Sequence, residues 1–186
     1  MFKELMHQED AELVSQSKLG ELSAFNLIVE RYQSQVLNVS ARILGDRSSA
    51  EDIAQETFIS AHKAIGRFRG GSLRAWLLRI ATNLSYDYIR ASRRRPEQSL
   101  DQDMLNPGFS IPAGGASPEQ TALAAELRAE IERAIVSLPP DQRTTLVLID
   151  VQGLSYEEET EAVGASLGTI QSRLSRARSR VRDFLL

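Results

Sequence analysis

The chain has 186 residues, a net charge of −3 and 42% hydrophobic residues, a composition typical of a globular protein with one or two domains. It contains no cysteine, which excludes disulfides, thiolate zinc sites and cysteine nucleophiles. No apolar run approaches the roughly 20 residues that are needed to cross a bilayer. Near its start the chain has acidic residues where a secretory signal would have an uninterrupted apolar stretch. We therefore expect a cytosolic protein without membrane insertion.

Hydrophobic residues recur at spacings of three and four along most of the chain, and no stretch alternates convincingly at a period of two. The pattern therefore predicts an all-α fold. A first group of helices is predicted at residues 10–19, 22–45, 48–66 and 72–94.

The predicted helix 48–66 has two contrasting faces. Its expected buried face consists of Ala54, Phe58, Ala61 and Ile65. On the opposite face, helical spacing places four residues close together: Asp52, Gln55, Glu56 and Ile59. An acidic and amide stripe with one apolar residue suits docking onto a basic partner helix. Taken alone, such a stripe is more often only a solvated helix face.

The predicted helix 72–94 carries a stripe suited to an unpaired nucleic-acid strand. Its expected core residues are Leu73, Trp76, Leu77, Ile80, Leu84 and Tyr88. Beside them run Arg79, Asn83, Tyr86 and Arg90. Arginine neutralises phosphate, an aromatic ring stacks on a base, and an amide reads an unpaired base edge. The preceding loop, residues 68–72, contains Arg69 and two glycines and could accept an extruded base.

Residues 96–118 are predicted to be a flexible linker. They include four prolines, three glycines and three acids, with no lysine or arginine, and cannot bury enough apolar surface to become ordered. After the linker, a second group of helices is predicted at residues 119–137, 141–150, 156–163 and 167–185. The fold is therefore expected to be two helical domains on a tether.

The end of the chain has the layout of a helix-turn-helix. Ser155 and Glu158 form a capping-box pattern at the start of a short helix, a turn follows at residues 164–166, and a longer helix begins at Leu167. In this layout the second helix enters the major groove of DNA. Its apolar face is Leu167, Ile170, Leu174, Ala177 and Val181, and the candidate DNA-contacting side chains are Thr169, Ser172, Arg173 and Arg176. The simpler alternative is a helical hairpin with a basic outer face.

Charge is distributed unevenly along the chain. Residues 67–95 contain eight arginines and one acid, and residues 166–186 contain five arginines and one acid. Residues 141–165 contain six acids and one arginine. Two separate basic surfaces on an acidic body indicate two local nucleic-acid contacts, whereas solvated helix faces are the alternative for either cluster alone.

Together these features resemble the extracytoplasmic-function group of the sigma-70 family. The likeness covers nearly the whole chain, in the same order as in the family. The matching segments are residues 10–14, 24–25 and 30–32, AEDIAQETF at residues 50–58, FRGGSLRAWLLRIATNL at residues 68–84 with Asp87 and Arg90, LPPDQR at residues 138–143, and GTIQSRLSRAR at residues 168–178.

The resemblance implies a non-enzymatic initiation factor without cofactor or metal, located in the bacterial cytoplasm. Residues 1–95 would dock on the β′ clamp helices of core RNA polymerase and melt the minus-ten promoter element. Residues 119–186 would bind the β flap and read the minus-thirty-five element. The partners would be core polymerase, promoter DNA in duplex and single-stranded form, and an anti-sigma factor able to hold the protein at the membrane. The regulon would concern stress or the cell envelope.

Glu159 and Thr160 depart from the family pattern, which usually has an apolar residue and then alanine after Tyr-Glu-Glu. A carboxylate at a buried position costs several kcal/mol unless it is paired or turned to solvent. We therefore expect either a rotated or shortened helix, or a contact between Glu159 and an arginine of the following helix.

Two other functions are alternatives to a sigma factor. A two-domain helix-turn-helix regulator acting without polymerase would explain the last two helices but neither stripe of the first domain. An enzyme has little support, since the chain has two histidines, no cysteine, no phosphate-binding glycine loop and no nucleophile motif. The four glutamates of residues 157–161 are explained more simply as an acidic helix start than as a metal site.

Overall fold

The computed structural model of the protein describes residues 2–94 and 118–186, and the side chains of residues 9–92 and 121–186. We call residues 2–94 the N-terminal unit and residues 118–186 the C-terminal unit. Both units consist of helices without strands, which confirms the predicted all-α fold. No helix in either unit is long and apolar enough to span a membrane. The predicted linker, residues 96–118, lies outside the described residues except for Pro118.

The helices follow the predicted order closely. The N-terminal unit comprises α1 (Phe2–Lys18), α2 (Leu22–Leu44), α3 (Arg47–Ala64), a 3-10 turn (Ile65–Arg67) and α4 (Leu73–Arg94). The C-terminal unit comprises α5 (Pro118–Ser137), α6 (Pro140–Leu146), a π-helical turn (Val147–Val151), α7 (Tyr156–Val163) and α8 (Leu167–Leu185). The main difference from prediction is at the start, where α1 begins at Phe2 rather than at residue 10.

Side-chain caps explain where two of the functional helices begin. At the start of α3, the Asp46 carboxylate accepts hydrogen bonds from the backbone N–H groups of Ser48 and Ser49, at 3.2 and 2.8 Å. At the start of α7, the predicted capping box forms, because Ser155 and Glu158 each accept a hydrogen bond from the other's backbone N–H, at 3.1 and 2.9 Å. These bonds satisfy amides that a helix start leaves free, and they fix the residue at which each helix begins.

The buried face of α4 differs from the predicted one at its end. Leu73 and Leu77 are buried as expected, but Tyr88 is 44% exposed and its hydroxyl bonds that of Ser49 at 2.6 Å. The core is instead completed by Leu78 and by small residues, including Thr82 and Ser85, which are fully buried. A hydrophobicity pattern does not mark small hydroxyl residues as core, so the predicted stripe lies too far toward the aromatic side of the helix.

The two units pack against each other. Helix α7 lies on α4, while α5, α6 and the π-helical turn pack on α2. The buried apolar residues of both units form one continuous cluster, from Val14 in α1 to Ala177 in α8. Since each fully buried leucine or isoleucine side chain contributes about 1.5–3 kcal/mol, this shared core favours the closed arrangement of the two units.

Candidate nucleic-acid and protein-binding surfaces

The exposed face of α3 carries four residues that we call the docking surface: Asp52, Gln55, Glu56 and Ile59. All four are exposed, as predicted, and the Ile59 side chain is 47% accessible. The opposite face is anchored by buried Ile53, Thr57, Phe58 and Ala61. An accessible isoleucine beside two carboxylates provides apolar area and negative charge on one helix face, which suits a basic partner helix.

On α4 and the loop before it, five residues form what we call the strand-binding surface: Arg69, Arg79, Asn83, Tyr86 and Arg90. The three arginines and Asn83 are exposed. Arg90 pairs with Asp87 at 3.2 Å on the helix surface, an exposed contact that contributes little to stability.

Tyr86 is the half-buried member of the strand-binding surface, because the C-terminal unit lies against it. Burial raises the pKa of its hydroxyl above the usual value, while the Thr144 side chain and the charge of Arg173 act in the opposite direction. The stacking residue predicted from the sequence is therefore partly covered in this arrangement.

The loop that joins the 3-10 turn to α4 is held at its base and open at its tip. The Lys18 ammonium donates a hydrogen bond to the Phe68 carbonyl at 2.6 Å, and the Phe68 ring packs on Trp76 with centroids 5.2 Å apart. Gly70 and Gly71 have φ values of 98° and 89°, a left-handed backbone that other residues rarely adopt. Arg69 is thus presented to solvent on a short, glycine-formed bend.

The helix-turn-helix forms as predicted. Gly164 ends α7 in the left-handed conformation, with φ of 66°. Two residues later, Ser166 caps α8 by accepting a hydrogen bond from the Thr169 N–H at 3.3 Å. The buried residues of α8 are Ile170, Leu174 and Ala177, whereas Leu167, predicted to belong to this face, is 46% exposed at the first turn.

The four residues predicted to read DNA, Thr169, Ser172, Arg173 and Arg176, we call the duplex-reading surface. Thr169 and Arg176 are exposed on α8, and Ser172 is half-buried. Arg173 differs from its neighbours because it pairs with Asp141 at 3.3 Å and its side chain is 27% exposed. Arg176 is therefore freer than Arg173 to reach a base edge in this arrangement.

Glu159 is fully buried on α7, among groups from several helices. Burial raises the pKa of its carboxyl to about 7, and the charge of Asp150 also raises it, whereas the Thr145 side chain and Arg173 lower it. Neither carboxylate oxygen completes a hydrogen bond of good geometry among the described residues, Thr145 included. The sequence predicted a rotated or shortened helix or a contact with an arginine. Helix α7 has the predicted bounds, and Arg173 acts on Glu159 through its charge while pairing with Asp141.

Sequence reasoning missed an apolar groove between α5 and α8. This groove, of about 480 Å³, is lined mainly by apolar residues and at its edge by charged ones: Ile131, Ile135, Leu146, Val151, Val181, Leu185 and Leu186, with Asp150, Arg178 and Arg182. Nearby on α5, Leu127 is 54% exposed. Four segments of the C-terminal unit build this groove, namely α5, α6, the π-helical turn and α8, so no single helical pattern indicates it.

Sequence reasoning also missed the polar contacts between the units. The Arg42 guanidinium of α2 donates to both carboxylate oxygens of Glu132 on α5, with a shortest distance of 2.6 Å. These residues are 90 positions apart, and no local pattern pairs them. A spacing rule for neighbours on one helix cannot find such a contact.

Comparisons with known proteins point to a single family. The family model for "Sigma-70 region 2" matches residues 28–95, and that for "Sigma-70, region 4" matches residues 128–181. The chain is 36% identical over 182 residues to RNA polymerase sigma-H factor of Pseudomonas aeruginosa, covering 95% of this chain and 94% of that protein. It is 39% identical over 178 residues to ECF RNA polymerase sigma-E factor of Escherichia coli K12, covering 92% of each.

A solved structure gives the same result for the fold. The sigma factor RpoE of Bartonella quintana, solved in complex with the anti-sigma factor NepR, superposes with a TM-score of 0.68 at 26% identity, covering 87% of this chain and 96% of that one.

Proposed function

The chain belongs to the sigma-70 family, in its extracytoplasmic-function group, and on that premise we propose which surface performs each step of transcription initiation. As a sigma factor it binds core RNA polymerase and directs promoter-specific initiation. The observation that carries this function is the pair of family matches, which together span both units in the family order. A regulator acting without polymerase would not require sigma-type sequence in both units, so that alternative is set aside.

We assign polymerase binding first to the docking surface on α3, which would contact the β′ clamp helices. Its support is geometric: two carboxylates, an amide and the accessible Ile59 share one exposed face, opposite the buried Phe58. Charge complementarity speeds association with a basic helix, and the apolar residue adds affinity. The same face lies away from the residues that build the core of the N-terminal unit, so its side chains can change without disturbing the fold.

The apolar groove of the C-terminal unit is assigned to the β flap. It is open along α5 and α8, has a mainly apolar lining, and lies beside the exposed Leu127. An amphipathic segment of the partner could lay its apolar face into such a groove. Two separate docking points on polymerase would hold the two units at a defined separation, and their combined affinity would exceed that of either alone.

The strand-binding surface is assigned to the unpaired minus-ten element. Arg79 and Arg90 supply positive charge at the helix surface, Asn83 offers an amide to a base edge, and Tyr86 offers a ring for stacking. Arg69, on its glycine-formed bend, would hold a base that leaves the stack. Arginine, amide and aromatic side chains in one column are the groups by which proteins bind single strands.

The duplex-reading surface on α8 is assigned to the minus-thirty-five element. Exposed Thr169 and Arg176 occupy the outer side of a helix whose other side is anchored by buried Ile170 and Leu174. A capped, rigidly packed helix of this kind can enter the major groove. Arg176 would contact a guanine edge or a phosphate, and Arg173 would join it once released from Asp141.

The remaining assignments concern partners and organisation. The sigma-70 family is not an enzyme class, and we propose that this chain has no catalytic activity. It would act in the bacterial cytoplasm on a stress or envelope regulon. Its activity would be controlled by an anti-sigma factor, the kind of partner seen in the Bartonella complex. That partner could hold this chain at the membrane. Residues 1–95 and 119–186 would be separate domains joined by residues 96–118.

Reconstitution tests this function directly. The purified chain is added to core RNA polymerase, and run-off transcripts are collected from a library of promoter fragments. The proposal expects stable binding to core polymerase and transcripts from a restricted set of fragments sharing minus-ten and minus-thirty-five elements. Tight, specific duplex binding without polymerase, together with no transcripts in its presence, would contradict it.

A further inference from the structure

We propose that Lys18, on α1, is a positioning residue for promoter melting: its ammonium group fixes the loop, residues 68–72, that receives a base extruded from the minus-ten element. This inference deepens the proposed role of Arg69 and rests on it. Three features support it: the anchors at the two ends of the loop, the anchoring of α1 itself, and the way in which the ammonium group is held.

The loop needs an anchor at each end, because its tip is formed by glycine. Gly70 and Gly71 have φ values of 98° and 89°, and open space surrounds the position that a Cβ atom would take at either residue. Glycine loses more conformational freedom on ordering than any other residue, so the tip alone does not hold Arg69 in one place. The position of Arg69 therefore depends on Phe68 before it and on Ser72 after the glycines.

Helix α4 provides the anchor after the loop. The Ser72 hydroxyl accepts a hydrogen bond from the backbone N–H of Ala75 at 3.1 Å, and the Ser72 carbonyl accepts one from the N–H of Trp76 at 3.0 Å. These bonds satisfy amides that the first turn of a helix leaves free. Ser72 is therefore held by α4 itself.

Phe68 is the anchor before the loop, and its carbonyl group is held by Lys18. The Phe68 ring is buried and packs on Trp76 with centroids 5.2 Å apart, while the Phe68 N–H donates to the Ile65 carbonyl at 3.1 Å. The carbonyl, which leads into Arg69, accepts a hydrogen bond from the Lys18 ammonium at 2.6 Å. A charged donor makes such a bond about twice as strong as a neutral one. The ammonium nitrogen lies 6.0 Å from the ring centroid, at the limit of a cation–π contact, so the carbonyl is its main partner.

Helix α1 is itself fixed firmly enough to hold the loop. The buried Asp10 carboxylate accepts hydrogen bonds from the Tyr32 hydroxyl at 2.5 Å and from the Arg31 guanidinium at 2.7 Å, both on α2. Val14, one turn further along α1, is buried in the core. Because Asp10, Val14 and Lys18 are spaced by four residues, they lie on one side of the helix. Lys18 can therefore move only if its long side chain rotates or α1 shifts on α2.

The same side of α1 forms one wall of a pocket beside the loop. This pocket, of about 310 Å³, is lined by α1, by the loop and by the start of α4, and its lining includes both Lys18 and Arg69. Asp10 also belongs to the lining, but its carboxylate already accepts bonds from α2. The ammonium group is thus directed to the loop rather than to this acid. Removal of the ammonium group would release the loop from α1 while the bonds between α1 and α2 remain.

The test uses RNA polymerase reconstituted with the full chain, at a concentration that saturates the core enzyme, and a promoter fragment that gives run-off transcripts. 2-Aminopurine replaces one adenine of the minus-ten element at a time, because its fluorescence rises when the base leaves the stack. Lys18→Met keeps the aliphatic stem and removes the ammonium group. It should lower the extruded fraction about fivefold, because a base is captured only by loops held in the accepting conformation.

Two control variants separate positioning from a general effect of charge. Lys18→Arg keeps a charged donor for the carbonyl and should retain most of the extrusion seen with the parent chain. Lys63→Met removes the same charge from an exposed lysine of α3 that is not part of the pocket lining, and it should match the parent. No loss in Lys18→Met, or an equal loss in either control, overturns the inference.

The salt dependence of promoter binding distinguishes a contact with the loop from a contact with the strand. If Lys18 acts on the loop, the slope of log affinity against log salt concentration should be the same for Lys18→Met and the parent. A slope smaller by about one would mean that the ammonium group binds a phosphate, and the positioning role would then be wrong.

Combination with Arg69→Ala separates this inference from the proposed function. A positioning residue acts through the loop, so Lys18→Met should add little to the loss caused by Arg69→Ala. Losses that multiply would mean that Lys18 acts elsewhere, including on the stability of the fold, and would overturn the inference. If Arg69→Ala alone leaves extrusion unchanged, the loop does not hold the base, and the inference fails together with that assignment. If Arg69→Ala reduces extrusion while Lys18→Met does not, the proposed function stands and only the role of Lys18 is overturned.

Discussion

Replacement of Glu159 by glutamine should stabilise the protein at alkaline pH far more than at acidic pH. The Glu159 carboxyl is fully buried, and its pKa is raised from the usual 4.5 to about 7. Below pH 4.5 the group is protonated in both the folded and the unfolded chain, so it costs no stability. As the pH rises through 7, the unfolded chain ionises freely while the folded chain must hold a buried charge. Stability that is present at low pH is therefore lost as the pH rises.

The size of the effect follows from the shift. A pKa difference of about 2.5 corresponds to about 3 kcal/mol at pH 8, since each pKa unit is 1.36 kcal/mol. At pH 5 the same linkage amounts to only about 1 kcal/mol. The stabilisation by Glu159→Gln should thus be about 2–3 kcal/mol greater at pH 8 than at pH 5. Comparing the two pH values removes any constant effect of the amide itself.

The measurement is urea unfolding of the full chain, followed by far-ultraviolet circular dichroism at pH 5 and pH 8. Glu157→Gln provides the matched control, because it makes the same change at an exposed position on the same helix. Its free energy of unfolding should follow the pH dependence of the parent chain. Parallel pH profiles for Glu159→Gln and the parent would refute the reasoning, since they would mean that the buried carboxyl is already stabilised as an anion.

Three further predictions concern the functional surfaces. Alanine at the three polar positions of the docking surface should weaken core-polymerase binding in a competition assay, while the unfolding free energy changes by no more than about 0.5 kcal/mol; unchanged affinity would rule out that face. Arg176→Ala should weaken promoter binding by about 1–3 kcal/mol. A loss of affinity that depends on one base indicates a contact with that base edge, whereas an equal loss for all sequences indicates a phosphate contact. Unchanged affinity would mean that another face of α8 reads the DNA. Asn83→Ala and Tyr86→Ala should leave closed complexes intact but reduce permanganate-reactive open complexes about fivefold or more, given stacking worth about 1–3 kcal/mol. A template already mismatched across the bubble should restore much of that loss, whereas normal reactivity on the matched template would contradict the role of α4.

Local sequence was sufficient to predict most of the fold. The capping box of Ser155 and Glu158 and the turn at Gly164 are determined by neighbouring residues, and both form as expected. The all-α class and the positions of the helices follow from the same short-range patterns. Tyr88 shows the limit of local patterns. Whether it is buried depends on which face of α4 packs on the core, and the face that does so carries the small residues Thr82 and Ser85.

For the candidate surfaces, too, the sequence predicts what one helix determines and not what depends on contacts between distant segments. The exposure of Asp52 and Arg176 follows from the helix on which each lies. The partial cover of Tyr86 and the pairing of Arg173 with Asp141 depend on how distant segments meet. Glu159 was recognisable as unusual from the sequence, but only the packing around it shows that it stays buried without a completed hydrogen bond.

Helix α7 links the two nucleic-acid surfaces through its consecutive acids. Glu158 caps the helix, the side chain of Glu159 is buried, and Glu161 lines a groove that also includes Arg67, Arg69 and Arg79 of the N-terminal unit. The same helix supports α8, so movement of α7 away from α4 must carry the duplex-reading surface with it. Separation of the units would uncover Tyr86 at the cost of the Arg42–Glu132 pair and of the apolar contacts that the units share.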